Sequence, residues 1–391
     1  MLDLFYSGIL LTLFVIWLAC LRPVRFGRVV SFLKAHKKAF SVFLWVVFIG
    51  FAIGYLAFFN QLAEMHDIPD AVNSAVKSEE NGVNPYVANV VPRFESKYSA
   101  NPSWTFGTYN YLSLDLVAYE AFHFVMSPLG MPVWFVVTNL LLSAVAFILL
   151  REVLKVQWKY YLPFAGTVML FYSFDNASLT LMLISLSAYL LHKSKMNHES
   201  TATIAMGLAV MTKVYAIIPF AVLVAYLLQQ RARARNWHMF ARVSASVGVS
   251  GVVGVALMIP FGIWEVLRAA VLFNTSAAAR IGTASGGTLL AEIPMSSGMY
   301  TAVSIALVVG AMVAALKLSS LNDRMMLVSF VFLAVVVKSS LAPLIVPGVY
   351  LGLKLKEVSL RRTMQAQESS DIQHAVREES RGSPSRRQTR A

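Results

Sequence analysis

Cysteine is almost missing from this chain of 391 residues: Cys20 stands alone, inside an apolar run. A disulfide framework is excluded, and so is a metal site built on paired thiolates. Charge is scarce as well. Asp, Glu, Lys and Arg make up 14% of the residues, against about a quarter in ordinary soluble domains. Acids are the rarer sign, with 20 Asp and Glu against 33 Lys and Arg, for a formal charge of +13. No internal repeat of useful period is visible, which counts against a pseudo-symmetric transporter. The first apolar stretch, Phe5 to Leu21, has no basic segment before it and no cleavage site after it. It reads as a span rather than a leader peptide.

What the chain has in excess is apolar sequence: 57% of residues are hydrophobic, and the mean hydropathy is +0.63. The runs are continuous rather than alternating, so they predict helices and not a barrel. The fold class expected is therefore all-α, a polytopic helical membrane protein. The basic residues sit in short loops and in the tail. That pattern follows the positive-inside rule and argues against nucleic acid as a partner. Arg22, Arg25, Arg28, Lys34, Lys37 and Lys38 follow the first span, which places the N-terminus outside and that loop in the cytoplasm. A second span, Ala39 to Asn60, then delivers a polar stretch, 61–110, to the outer face.

Further spans are expected near 131–150, 160–171, 178–191, 201–211, 214–228, 241–260, 298–316, 325–337 and 341–353. That gives about eleven crossings of roughly 20 residues or fewer, with a second outer loop at 261–297. The membrane domain is 1–353, and 354–391 is a basic, disordered cytoplasmic tail. Tyr111, Asp115, Tyr119 and His123 are spaced four apart, on one helical stripe. The segment Tyr111 to Val125 is expected to lie in the interface or re-enter, because every later basic loop then stays inside.

Polar groups collect at four places in this topology: the first outer loop, the Ser173-Phe174-Asp175-Asn176 turn, the loop from Phe261 to Ser297, and Lys213 between two short apolar runs. Motifs run through all but the Phe261 loop. In order they read Asp67-Ile68-Pro69-Asp70, then Gly82-Val83-Asn84-Pro85-Tyr86 and Tyr109-Asn110-Tyr111-Leu112, then Phe174-Asp175-Asn176. The last is Gly207-Leu208-Ala209-Val210-Met211-Thr212-Lys213-Val214-Tyr215, which runs on to Pro219. Together they resemble the GT-C superfamily of glycosyltransferases, in its polyprenyl-phosphate-mannose-dependent branch, which includes the GPI-anchor mannosyltransferase I type. The resemblance covers residues 40 to 260. It departs from the family at Ser113, where a proline is usual, and in the wide spacing of Asp67 and Asp70.

The resemblance implies transfer of a sugar, mannose foremost, from a polyprenyl-phosphate donor to a lipid or glycan acceptor hydroxyl, with inversion and no cofactor or metal. Such a reaction needs a carboxylate to take the acceptor proton and cations to stabilise the departing phosphate. Asp67 is the expected base, with Asp70 second. The other reading is that both acids solvate the loop or cap the helix beginning near Asp70. Lys213 would bind the donor phosphate or else snorkel from a helix end. Arg268 and Arg280 flank the second loop as phosphate contacts or as solvated arginines.

Asp175, Asn176, Tyr86, Tyr109, Tyr111 and Tyr215 are expected to line the substrate site. Asp175 and Asn176 equally suit a chain turn. His66 beside Asp67 is too thin a set for a metal and reads as a solvated histidine, and His123 reads as structural. Asn176-Ala177-Ser178 and Asn274-Thr275-Ser276 match the glycosylation pattern. A lipid or solute transporter and a non-catalytic membrane scaffold are the competing readings of the whole chain.

Overall fold

In lipid every backbone group must bond within its own segment, so long apolar runs fold as helices. The computed structural model describes residues 2–21, 36–64, 66–94, 104–193, 198–272, 296–335 and 342–361. Its helices are α1 (Leu2–Leu21), α2 (Lys37–Ala57), α3 (Phe59–Glu64), α4 (Ile68–Glu80), α5 (Ser113–Met126), α6 (Val133–Leu154) and α7 (Trp158–Tyr172). They continue with α8 (Ser178–His192), α9 (His198–Val210), α10 (Ile217–Arg233), α11 (Trp237–Met258), α12 (Ile263–Val266), α13 (Ser297–Ala315) and α14 (Leu321–Val335). A last helix, α15, covers 345–361. Two short strands, β1 (Val91–Phe94) and β2 (Trp104–Gly107), pair antiparallel with Val91 opposite Gly107.

Among the described residues, five helical segments are long and apolar enough to cross a membrane: Lys37–Ala57, Val133–Leu154, Val214–Arg233, Trp237–Phe261 and Gly298–Ala315. The chain is thus a helical membrane protein, but the expected count of eleven spans is not reached among the described residues. Helices α7, α8, α9 and α14 have 13 to 15 residues, short of the roughly 20 that a crossing needs. The polar turns around Asp175 and Lys213 end three of them early.

Helices α6, α8 and α9 pack side by side at the centre. Small and hydroxylated residues allow that approach, as is usual between helices in lipid. Ser143 Oγ donates to Ser178 Oγ at 3.0 Å, and Ser187 Oγ to the Ala202 carbonyl at 2.8 Å. Gly207 of α9 meets Ser250 of α11 so closely that a Cβ would collide with it. Helix α2 differs: 6% of its apolar window is buried, against 56% for α6. It leans on α7, where the Phe48 ring occupies the space a side chain at Gly166 would need.

The polar stretch after α2 is a folded module rather than an open loop. In α4, Val72, Ala75 and Val76 are fully buried; their three-and-four spacing forms one face, and the strand pair lies against this helix. Pro69 and Asp70 occupy its first turn, where a missing N–H and a negative charge are both favourable. These residues form a second hydrophobic core with α5 and the segment after α11, apart from the core of the bundle.

Helix α5 has 14 residues, fewer than a crossing needs, and its polar stripe faces inward. Asp115, Tyr119 and His123 are buried, while Phe124 and Val125 are exposed. The polar stripe turns inward because each group finds a partner there: Tyr119 donates to Asn139 Oδ1 at 2.6 Å, and His123 Nδ1 pairs with Glu80 Oε1 at 2.7 Å. At the other end of the chain, the expected tail boundary at Lys354 falls inside a helix. Helix α15 continues through 361, with Lys354 bonded to Asp323; residues 362–391 lie outside the described set.

Candidate functional site

The two cores meet at one buried polar cluster. Asp115, in the first turn of α5, is wholly buried. Its Oδ2 accepts from the Tyr109 hydroxyl at 2.6 Å and from Asn176 Nδ2 at 2.7 Å. The other end of the Asn176 amide, Oδ1, accepts from Lys213 Nζ. Lys213 also lies 3.8 Å from the centre of the Tyr111 ring and 3.8 Å from Asp175 Oδ1. The cluster therefore draws on the end of the polar module, the turn before α8 and the break after α9.

Each position follows from local structure. Helix α9 stops at Val210 and a 3-10 turn begins at Val214, so Lys213, in extended conformation between them, turns its side chain into the gap. Asp175 accepts from the Ala177 N–H at 3.0 Å and so shapes the start of α8, a common use of Asp in turns. It turns the chain and flanks Lys213 at once. Burial pushes the Asp115 carboxyl up to about 6, against the pull of Lys213 and the bonds from Tyr109 and Asn176. Asp115 Oδ1 has no hydrogen-bond partner, an expensive arrangement for a buried oxygen.

Asp67 occupies the N-cap position of α4, yet its side chain makes no capping bond. Capping therefore does not explain it. It is half-buried, and its charge is felt at Lys213. Asp70, one turn on, is exposed; partial burial and then the charge of Asp67 raise its carboxyl above the usual range. Of the two acids, Asp67 is the one tied to the lysine.

The remaining candidates divide. Tyr109 and Tyr111 belong to the cluster. Tyr86 packs edge-on to Tyr109, with ring centres 5.7 Å apart, and its hydroxyl is buried without a partner. Its neighbour Asn84 bonds the Phe261 carbonyl at 2.6 Å, and the Tyr109 N–H donates to the Pro85 carbonyl at 2.7 Å. The Asn-Pro-Tyr sequence thus pins the module to the bundle. Tyr215 faces a small apolar crevice with Ile218, Pro219 and Phe332. Arg268 lies exposed on the π turn Leu267–Leu272 and is not brought into the hydrogen-bonded cluster. Arg280 and Asn274 lie outside the described residues.

His66 Nδ1 donates to the Leu62 carbonyl at 2.7 Å, and the ring stacks on Phe174. It is a packed histidine rather than a solvated one. Among the described residues no group of three or more His, Cys, Asp or Glu could hold a metal ion. Asn176 is buried with both amide atoms engaged, which leaves no acceptor for a glycan.

Sequence reasoning passed over Asp115. Its signal was present in the four-residue spacing, but that pattern was read only as an interfacial or re-entrant helix. An Asp on an otherwise apolar helix next to Tyr109-Asn110-Tyr111 is the feature that could have marked it. No protein-family model matches the chain, and no curated protein matches it in sequence.

Proposed function

We propose that this chain is a membrane-embedded glycosyltransferase that moves a sugar, mannose or a relative, from a polyprenyl-phosphate donor to an acceptor hydroxyl on the outer face. The observation that carries the reading is the bond of Lys213 to Asn176, with Asp175 beside it, at the seam between a polar module and an apolar helix bundle; Asp67 stands near enough for its charge to act on that lysine. A lipid-linked donor needs such a seam. Its chain stays among helices while its phosphate and sugar reach polar groups.

In this mechanism Asp67 takes the proton of the acceptor hydroxyl, whose oxygen attacks the anomeric carbon from the face opposite the phosphate. The carbon–oxygen bond to phosphate breaks, and its electron pair leaves with the phosphate. Lys213 stabilises that growing charge.

The test is transfer by the purified protein from a panel of labelled polyprenyl-phosphate sugars. Asp67→Asn should slow transfer by about 10²–10⁴-fold, the usual worth of a general base, with expression unchanged. Full activity in both Asp67→Asn and Asp70→Asn would remove the assigned base. Uptake of a solute without any transfer would replace the enzyme by a transporter.

A further inference from the structure

We propose that Asp115 is a positioning residue that aims the Lys213 ammonium through the Asn176 amide. This inference rests on the reading of Lys213 as a phosphate-binding cation and goes a step beyond it, to the group that holds the cation in place.

An asparagine amide has one donating end and one accepting end. At Asn176 the donating end faces Asp115 Oδ2 and the accepting end faces Lys213. Turned over, the amide would place N–H groups against an ammonium and an oxygen against a carboxylate. The charge on Asp115 thus selects the one orientation in which Lys213 has an acceptor. Tyr109 fixes Asp115 in turn, through its 2.6 Å bond to the same oxygen. The order of influence is Tyr109, Asp115, Asn176, Lys213.

The lysine gains from being held this way. Its side chain is a flexible stem that loses considerable rotamer freedom when ordered. A direct, close carboxylate would order it but would also neutralise it. Here Asn176 takes one of the three ammonium N–H donors, the Tyr111 ring covers one side, and Asp175 stands at 3.8 Å, beyond hydrogen-bond reach. The head group is held while donors remain for an anion. Asp115 is wholly buried, so its role is exerted through its neighbours and not by touching substrate.

The experiment measures binding of a sugar-free polyprenyl monophosphate to the full chain in nanodiscs, with thermal unfolding recorded for each variant. Lys213→Ala should weaken binding about tenfold or more, and Asp115→Asn by about tenfold, the worth of one well-placed charged hydrogen bond. Tyr109→Phe, which keeps its ring packing, should weaken it about threefold and serves if Asp115→Asn folds poorly. The deciding readout is non-additivity. In a Lys213→Ala background, Asp115→Asn and Tyr109→Phe should cost no further affinity, although any effect on unfolding temperature persists. In turnover, the donor KM should rise while the acceptor KM stays within about twofold. Wild-type binding in Asp115→Asn, or losses that add fully in the double variants, would overturn the positioning role. Wild-type binding in Lys213→Ala would instead overturn the phosphate reading beneath it.

Discussion

Lys354 and Lys213 are both buried and both sit among carboxylates, yet their surroundings are built differently. Lys354 Nζ donates directly to Asp323 Oδ2 at 2.6 Å, while Trp17 Nε1 donates to Asp323 Oδ1 at 3.0 Å. Glu357, 3.6 Å from the same ammonium, takes bonds from Ser320 and Asn322. Both oxygens of Asp323 are satisfied, and three helices, α1, α14 and α15, are tied together. Around Lys213 the bond to acid is replaced by a bond to an amide, Asp175 stands off, and one oxygen of Asp115 has no partner. A closed pair holds helices together. An incompletely matched cluster costs stability and keeps capacity for a ligand, which is where sites with shifted acids tend to lie.

The sharpest way to break this contrast is to remove each lysine. Lys354→Met leaves the Asp323 carboxylate buried without its cation, a loss of about 3–5 kcal/mol, and should lower the unfolding temperature strongly while the folded fraction keeps wild-type donor affinity. Lys213→Met should do the reverse, with a modest loss of stability and a large loss of transfer. Equal stability losses in calorimetry would erase the distinction between the two clusters.

A second test uses pH. Burial raises Asp115 to about 6 in the folded protein, above the ordinary carboxylate value near 4. The fold therefore favours the protonated acid, and that contribution is complete below about pH 4 and lost as pH rises through 6. Asp115→Asn removes the loss, so its stability relative to wild type should improve between pH 4 and 7. A difference that stays flat over that range would show that Asp115 does not titrate as a buried acid.

The smallest effect expected is at the rim of the polar module. Glu120 is raised to about 7, first by burial and then by the neighbouring Glu79 and Glu80. Stability from its protonated form is likewise present in acid and fades as pH passes 7. Glu120→Gln should gain on wild type from pH 5 to 8, by less than the Asp115 variant because Glu120 is only partly buried. Unfolding curves that coincide at pH 8 would remove the effect.

Much of this molecule could be read from its residues. Most of the apolar run 39–60 lies in α2, Lys213 stands at a helix break, and Tyr109, Tyr111, Asp175 and Asn176, each legible as a polar or aromatic motif, gather near it. Three things were hidden. The eleven spans expected from apolar blocks are not reached among the described residues, because the turns at Asp175 and Lys213 leave their helices short of a crossing. What the stripe on α5 faces was not legible, since periodicity gives a face but not its partner. Asn84-Pro85-Tyr86 looked like substrate lining and proved to include an anchor to Phe261.

Helical character and residence in a membrane follow from the order of amino acids alone, because a long apolar run must bond its own backbone once water is gone. Which acid meets which cation does not follow from it. Asp115 and Lys213 are far apart in sequence and come together only when the polar module docks on the helix bundle with Asn176 between them. Hydrogen bonds are short and directional, so that pairing is set by where packed helices place side chains and not by spacing along the chain.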